Sequence, residues 1–504
     1  MPAVTLAEML AAEHHAISRG WSEEELLDEA GKQLGIAIGR HFSRPGTAIA
    51  YLGKGHNAGD AVVALGILRK VFGWKVVVRH AFPRDQWATL LAKKHAELEL
   101  AGEVELLNRL PDWRSMPKPL LVLDGLLGCG GKGPLREPVL DLTEEIDWLR
   151  QEAGARVAAV DLPSGVDPDT GIASSGAVRA DVTFMIAHAK QGLLTGMAAN
   201  HTGALALVPV DSLNNLKAPF VSDLEMISPQ TLHFGKSPRP FDFHKGMAGR
   251  VAVVAGSLQY PGAAVLAATG ALRGGGGLVT LHVPVAAYPI IASKCPPEII
   301  VKSYETLAEL RESDCDAWVI GCGLGPLSGG ETDRLMELFS RHPAPAVLDA
   351  DALNAIAASG KSDLLQSRHI LTPHPGEFRR LAPQLTGLDR EQAVRSFVKN
   401  CPATLLLKGS RTLIANCESP LWCNSTGTPA MAGGGQGDLL SGVIGAGLAQ
   451  GWVPMEAAAR AAWSCGRAAE IAVIEGGESE ESLTPSDVAR YLGRAFEDWR
   501  CSGR

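Results

Sequence analysis

Short unbroken apolar runs alternate along this chain with longer stretches in which apolar residues recur every three or four positions. In the first half the runs fall at residues 47–53 (TAIAYLG), 75–80, 119–125, 156–163, 182–188 and 204–210. Between them lie helix-period stretches such as 61–72 (AVVALGILRKVF) and the acidic 144–153. A strand buried on both faces shows no polar alternation, and an intervening helix lets successive strands run parallel. The pattern therefore predicts a mostly parallel sheet covered on both sides. The rhythm breaks at 211–249, which is rich in Pro, Gly and polar residues, and restarts at 250–256. It continues through 276–283, 316–323, 345–351, 368–373 and 403–409, and from Gly437 onward the chain reads as helices.

The expected architecture is α/β, with two three-layer αβα domains. Their expected bounds are residues 1–215 and 236–504, with 216–235 as the linker. The 504 residues, 46% of them hydrophobic and 20% charged, suit packed domains of this size rather than a disordered chain. A formal net charge of -8 argues against nucleic-acid binding, which needs a basic face. Nine cysteines lie scattered with no CxxC pair, so reduced thiols in a cytoplasm are expected rather than disulfides or zinc. The first residues lack a basic n-region, and no apolar run reaches the ~20 residues of a membrane span, so neither secretion nor a membrane partner is expected.

Candidate chemistry concentrates at the ends of the apolar runs. In 431–451 (MAGGGQGDLLSGVIGAGLAQG), Gly433, Gly434, Gly435 and Gly437 precede a long apolar helix. Backbone N–H groups at such a helix start form an anion site that glycine leaves open, and Asp438 in the first turn suits a general base. A plain helix-dipole role for that aspartate is the competing explanation. His374 and Glu377 follow another run, as do Lys408 with Gly409, and Asp349 with Asp351, the last pair suiting Mg2+ or phosphate-linked water. Each has an ordinary capping or surface explanation. Their common position at strand ends of one sheet, where open α/β sheets bind ligands, favours a site.

These motifs resemble a known family. YPGAA, ALRGGGGLVTL, GCGLGP, LDADALN, LTPHPGEF, LLLKGS and NSTGTPAMAGGGQGDLLSG occur in the order found in ADP/ATP-dependent NAD(P)H-hydrate dehydratases, which have a ribokinase-like fold. The resemblance implies that a nucleotide, ADP or ATP with Mg2+, phosphorylates the hydroxyl of the hydrated NADH or NADPH ring. Phosphate then leaves and the dihydronicotinamide is restored. It places the hydrate at Ala263, Gly323, His374 and Asp438, and the adenine nucleotide at Lys408, Gly409, Ser410, Arg411, Thr412 and Gly437. Asp438 also falls at the catalytic acid/base position. Gln436 and Gly433 stand where the family usually has Thr.

In the first half, 51–70 (YLGKGHNAGDAVVALGILRK), 124–135 (DGLLGCGGKGPL) and 161–171 (DLPSGVDPDTG) are Gly-rich or Asp-bearing turns after strands, and the first of them carries no GxGxxG fingerprint. Helix caps and ordinary Asp/Ser turns are their bland alternatives. With 187–194 (AHAKQGLL), they resemble the NAD(P)H-hydrate epimerase domain, Rossmann-like in fold, over about residues 5–215. The resemblance assigns the hydrate to His56, Asn57, Ala58, Gly59, Asp60, Gly128, Cys129, Gly130, Gly131, Lys132, Gly133, Pro134 and Asp161. It assigns K+ to Asn57, Asp124 and Ser164, and acid/base work to Asp161 with Lys190 assisting. His56-Asn57-Ala58-Gly59-Asp60-Ala61 stands where that family usually has Asn-Asn-Gly-Gly-Asp-Gly, and Ala58 adds a methyl where positive φ or close ligand approach is expected. The expectation is thus a bifunctional enzyme, homo-oligomeric and cytoplasmic, whose partners are small-molecule hydrates, with an epimerase whose full activity His56, Ala58 and Ala61 leave open. The alternative from the same residues is a ribokinase-type kinase of a vitamin-precursor alcohol carrying a non-catalytic front module.

Overall fold

A computed structural model describes residues 2–102, 104–107, 109, 112–131, 133–214, 222–229, 232 and 239–501. The chain divides into two compact units, Met1–Gln230 and Thr231–Arg504.

Unit 1 carries β1 (Thr47–Leu52), β2 (Lys75–His80), β3 (Glu105–Leu107), β4 (Leu120–Gly125), β5 (Arg156–Val160), β6 (Val182–Ile186) and β7 (Ala204–Val208). They form one sheet in the order β3-β2-β1-β4-β5-β6-β7, parallel throughout. All six residues of β1 are buried, which explains its unbroken apolar run. The chain moves outward from β1 to β3, then returns to the other side of β1 as β4. The carboxyl ends of β1 and β4 are therefore a topological switch point, where loops diverge and leave a crevice. The helices Leu6–Ser18 and Glu23–His41, which the apolar runs do not announce, both begin with capping boxes, Thr5 with Glu8 and Ser22 with Glu25. Part of the expected linker, residues 216–221, 230–231 and 233–235, lies outside the described residues. Within it, Leu224–Ile227 forms a strand, β8, whose Leu224 carbonyl accepts from Ala3 N–H at 2.8 Å.

Unit 2 contributes β9 (Arg250–Val254), β10 (Leu278–Pro284), β11 (Ile300–Tyr304), β12 (Ala317–Ile320), β13 (Ala346–Leu348), β14 (His369–Leu371), β15 (Thr404–Leu407), β16 (Leu413–Ala415) and β17 (Leu421–Asn424). The order is β11-β10-β9-β12-β13-β14-β15-β16-β17. The strands run parallel as far as β15; β16 turns back antiparallel to β15, and β17 antiparallel to β16. Here the switch point lies between β9 and β12.

Helix Gln436–Ala449 is apolar nearly all round because it is buried between a neighbouring helix and the sheet. Its approach to helix Pro261–Arg273 depends on glycine. A Cβ on Gly442 would fall 2.0 Å from Ala267 O, and one on Gly270 would fall 2.2 Å from Leu439 O. Leu439, Ile444 and Leu448 are buried along it, each contributing roughly 1.5–3 kcal/mol. Gly442→Val would force the two helices apart and move the helix start that carries Asp438.

Candidate active sites

In unit 2 the loops after β9 and β12 meet at the switch point. Gly256 N–H donates to Cys322 O (2.8 Å) and Ser257 Oγ donates to Gly323 O (2.9 Å). Gly323 has φ +65°, and a Cβ there would fall 2.7 Å from Ala263 Cβ. Two expected hydrate residues are thereby packed together, with glycine required at one of them.

Helix Gln436–Ala449 enters from the side through Gly435, which has φ +91°, while Gly433 and Gly434 are exposed. The start of the helix carries a charge cluster. Asp349, fully buried at the end of β13, accepts from Lys408 Nζ (2.9 Å), Ser441 Oγ (2.7 Å) and Ala350 N–H (2.8 Å). A Cβ on Gly437 would sit 3.0 Å from Lys408 Nζ, so glycine admits the ammonium beside the helix N-terminus. Burial works against the Lys408 charge, but Asp349 holds its pKa above the ordinary lysine value, which makes it a fixed cation. Asp438 is pushed up to about 7, by burial first and by the Asp349 charge second, against the Cys322 thiol hydrogen bond and Lys408. A carboxylate with that pKa exchanges protons near neutral pH. Burial, with the Asp438 and Asp349 charges, keeps the Cys322 thiol protonated.

The remaining expected residues lie around this centre. His374 caps helix Pro375–Leu381, with Gly376 N–H donating to its Nδ1 (2.9 Å) and its own N–H bonded to Glu377 (2.8 Å). Its side chain is half exposed. Gly409 and Ser410 are exposed on the turn between β15 and β16, and Thr412 Oγ1 donates to Gly409 O (3.3 Å). Arg411 points the other way and is buried, with its guanidinium lowered in pKa by desolvation. Of the three donors to Asp349, the Lys408 ammonium already supplies its countercharge. Asp351 accepts from Gly325 N–H (2.8 Å). No group of three or more His, Cys, Asp or Glu side chains among the described residues is arranged to enclose a metal ion. The hard oxygens of Asp438 and Asp351 suit Mg2+ carried by polyphosphate rather than caged by protein.

In unit 1 the switch point is likewise occupied. Asp161 follows β5 with φ +67°, a left-handed conformation that aspartate tolerates. Its Oδ1 accepts from Ile186 N–H (2.9 Å) and pairs with the fully buried Lys190, whose Nζ also donates to Ile186 O (2.9 Å). The Cys129 thiol donates to Oδ2 (3.3 Å). Asp60 is held well above the ordinary carboxylate range, by burial first and then by the charges of Asp161 and Glu13. Glu13 is also raised, by burial and Asp161.

Asn57 donates to Leu127 O (2.8 Å) and so ties the β1 and β4 loops together. Asp124 is fully buried and accepts from Ser164 N–H (2.7 Å), Ser164 Oγ (2.6 Å) and Leu126 N–H (3.2 Å). Burial lifts its pKa to about 6 against those hydrogen bonds, and among the described residues no cationic side chain is bonded to it. A buried carboxylate with neutral oxygen-bearing neighbours and no countercharge fits a monovalent cation.

His56 is exposed at the start of helix His56–Phe72, and Gly130, Gly131, Gly133 and Pro134 lie exposed beyond β4, while Gly128 and Cys129 are part-buried. Lys132 is outside the described residues. Ala58 departs from expectation. It sits buried in the first turn of the helix, and among the described residues the positive-φ non-glycine ones are Asp161, Ala187 and Ala350. Its methyl therefore needs no left-handed backbone.

Residues 251–492 match the family model described as NAD(P)H-hydrate dehydratase, and residues 23–192 match the one described as YjeF-related protein N-terminus. A bifunctional NAD(P)H-hydrate repair enzyme of Gloeobacter violaceus is 34% identical over 91% of this chain and 91% of its own. The chain belongs to the bifunctional NAD(P)H-hydrate repair enzymes. A second repair enzyme, from Pyrobaculum aerophilum, is 33% identical over 99% of this chain and 100% of its own. A solved ribokinase-like superfamily protein of Enterococcus faecalis, 24% identical, covers 56% of this chain and 99% of its own with a TM-score of 0.50, which accords with the ribokinase-like fold.

Three residues of this repair enzyme were not singled out by the sequence reading: Cys322, Ser441 and Glu13. Cys322 lies inside the GCGLGP motif, and Ser441 lies three residues beyond Asp438, one helical turn along. Nothing in the sequence around Glu13 marks it, because only packing brings its helix to the ends of β5 and β6.

Proposed function

We propose that unit 2 dehydrates the S hydrate of NADH or NADPH at the expense of ADP or ATP, and that unit 1 interconverts the R and S hydrates so that both isomers are repaired. The observation that carries the reading is Asp438, a carboxyl poised near neutrality beside the fixed cation Lys408 at a glycine-lined helix start.

In this reading the hydrate lies against Ala263, Gly323 and His374, with its hydroxyl at Asp438. Asp438 takes the hydroxyl proton as that oxygen attacks the terminal phosphoryl group. The helix N–H groups at Gly437 and the Lys408 ammonium stabilise the transferring phosphoryl, and Gly409, Ser410 and Thr412 hold the rest of the nucleotide. The nucleotide leaves one phosphate shorter; phosphate then departs with the C–O bonding pair while the adjacent ring carbon gives up a proton, and the C–H pair forms the ring double bond. Mg2+ arriving on the nucleotide would neutralise phosphate oxygens near Asp438 and Asp351.

In unit 1, Asp161 moves the proton. Lys190 holds its Oδ1, which leaves Oδ2, on the Cys129 side, toward the hydrate bound by His56–Asp60 and by residues 128–131, 133 and 134. A K+ held by Asn57, Asp124 and Ser164 would supply the missing countercharge. A cytoplasmic setting accords with nine free cysteines.

The test is to incubate the protein with mixed R and S hydrate and ADP or ATP, following recovery of dihydronicotinamide absorbance. Complete recovery is expected. Asp161→Ala should stop it once the S isomer is consumed, where spontaneous exchange is slow. Accumulation of a stable phosphorylated product would show a kinase instead.

A further inference from the structure

We infer that Arg390 is a positioning residue that clamps the β15–β16 turn in the shape that receives the nucleotide. The inference rests on the reading that residues 408–412 bind the nucleotide. β15 and β16 pair antiparallel as far as Leu407 opposite Leu413, so the turn between them lies beyond that register. Arg390 opens helix Arg390–Val398 and sends Nη2 to Arg411 O (2.9 Å), with Lys408 O at 3.4 Å and Leu407 O at 3.5 Å. Together with the Thr412 bond to Gly409 O, two side chains reach the carbonyls of Leu407, Lys408, Gly409 and Arg411.

A second feature is independent of those bonds. A Cβ on Gly409 would fall 2.5 Å from Arg390 Nη2 and 2.9 Å from its Cζ, so the turn lies directly on the guanidinium. The three carbonyls all face one nitrogen, Nη2, while the flat guanidinium as a whole lies under Gly409, a surface that a tetrahedral lysine ammonium does not present. Lys408 itself is anchored elsewhere, its N–H to Pro373 O (2.9 Å) and its Nζ to Asp349 (2.9 Å). Losing the clamp should therefore loosen residues 409–412 while leaving Lys408 and Asp438 in place. The consequence falls on nucleotide KM, not on the chemical step.

The experiment is steady-state dehydration by the full-length enzyme, comparing Arg390→Met, Arg390→Lys, Gly409→Ala and the double variant Arg390→Met/Gly409→Ala. Arg390→Met should raise KM for ADP about tenfold while kcat and hydrate KM stay within about twofold, with Arg390→Lys in between. Gly409→Ala should also raise ADP KM, because its methyl displaces the guanidinium. The double variant should then be no worse than the more severe single one. Unchanged ADP KM in both Arg390 variants, kcat and both KM values moving together, or additive losses in the double variant would overturn the clamp. Should Arg390→Met not fold, Arg390→Lys and Gly409→Ala decide by the same criteria. Equilibrium dialysis of ADP against Ser410→Trp separates the two ideas. Undiminished binding there would mean the nucleotide lies elsewhere, and the clamp falls with that reading. Lost binding there, with the Arg390 variants unaffected, would remove the clamp alone.

Discussion

Asp438→Asn replaces a carboxylate by an amide of the same shape at a buried position beside the Asp349 charge. Two effects follow, with opposite signs. For catalysis, the variant has no base, and losing a general base lowers kcat by about 10²–10⁴. In the wild type, with Asp438 at about 7, kcat should rise from pH 6 to pH 8 as the carboxyl loses its proton, and the variant should lose that rise. For stability, the folded pKa stands above the unfolded one, so the folded state prefers the protonated form. Stability contributed by this group is present below the unfolded pKa and is lost as pH rises toward about 7. At pH 8 the buried charge costs on the order of 2–4 kcal/mol, a cost that asparagine avoids. Asp438→Asn should therefore unfold at higher urea than the wild type at pH 8, by a margin that shrinks toward pH 5. The assays are dihydronicotinamide recovery from the S hydrate with ADP, and urea unfolding at both pH values. Turnover within about threefold of wild type, or a stability gain independent of pH, would refute the reasoning.

Cys322→Ala removes a hydrogen bond that lowers the Asp438 pKa, so the rise of kcat with pH should move to higher pH, whereas Cys322→Ser should restore most of it. Asp124→Asn removes the buried, uncompensated charge at the expected K+ site, and isomer exchange should lose its response when K+ replaces a bulky organic cation in the buffer, while dehydration continues. Burial depresses His80 to about 3 and His188 to about 4 in unit 1, and His282 and His369 to about 4 in unit 2. The unfolded chain takes those protons below about 6.5, so the histidine contribution is constant above that pH and falls toward about 4, by roughly 2 kcal/mol per histidine at pH 5. Asp438 runs the other way over the same range, so the test is a difference: between pH 7 and pH 5 His80→Phe should lose less stability than the wild type, and an identical pH dependence in the two would contradict this.

The sequence by itself determined the class of each half and the addresses of most candidate groups. Buried parallel strands need unbroken apolar runs, and turns at their carboxyl ends need glycine, so both are written locally. The helices at 56–72 and 436–449, the strand ends at Asp161, Asp349 and Lys408, and the glycine start before Asp438 follow from that. Short or one-sided elements were not legible. β3 and β11 carry largely exposed residues, and β16 with β17 are short antiparallel strands, where an isolated apolar triplet has no period to read. Nor could the sequence announce the capped helices ahead of β1, whose apolar faces are interrupted by charge.

Only the tertiary structure decided which charges meet. Lys408 and Asp349 are 59 residues apart yet ion-paired, and Asp161 is joined by Lys190 from 29 residues away, because strand order rather than chain order sets neighbours at a switch point. Tertiary structure also turned Arg411 inward, gave Ala58 an ordinary helical backbone and laid Gly409 on Arg390. Each of those outcomes is fixed by burial and by the geometry of one backbone against another, which no local pattern encodes.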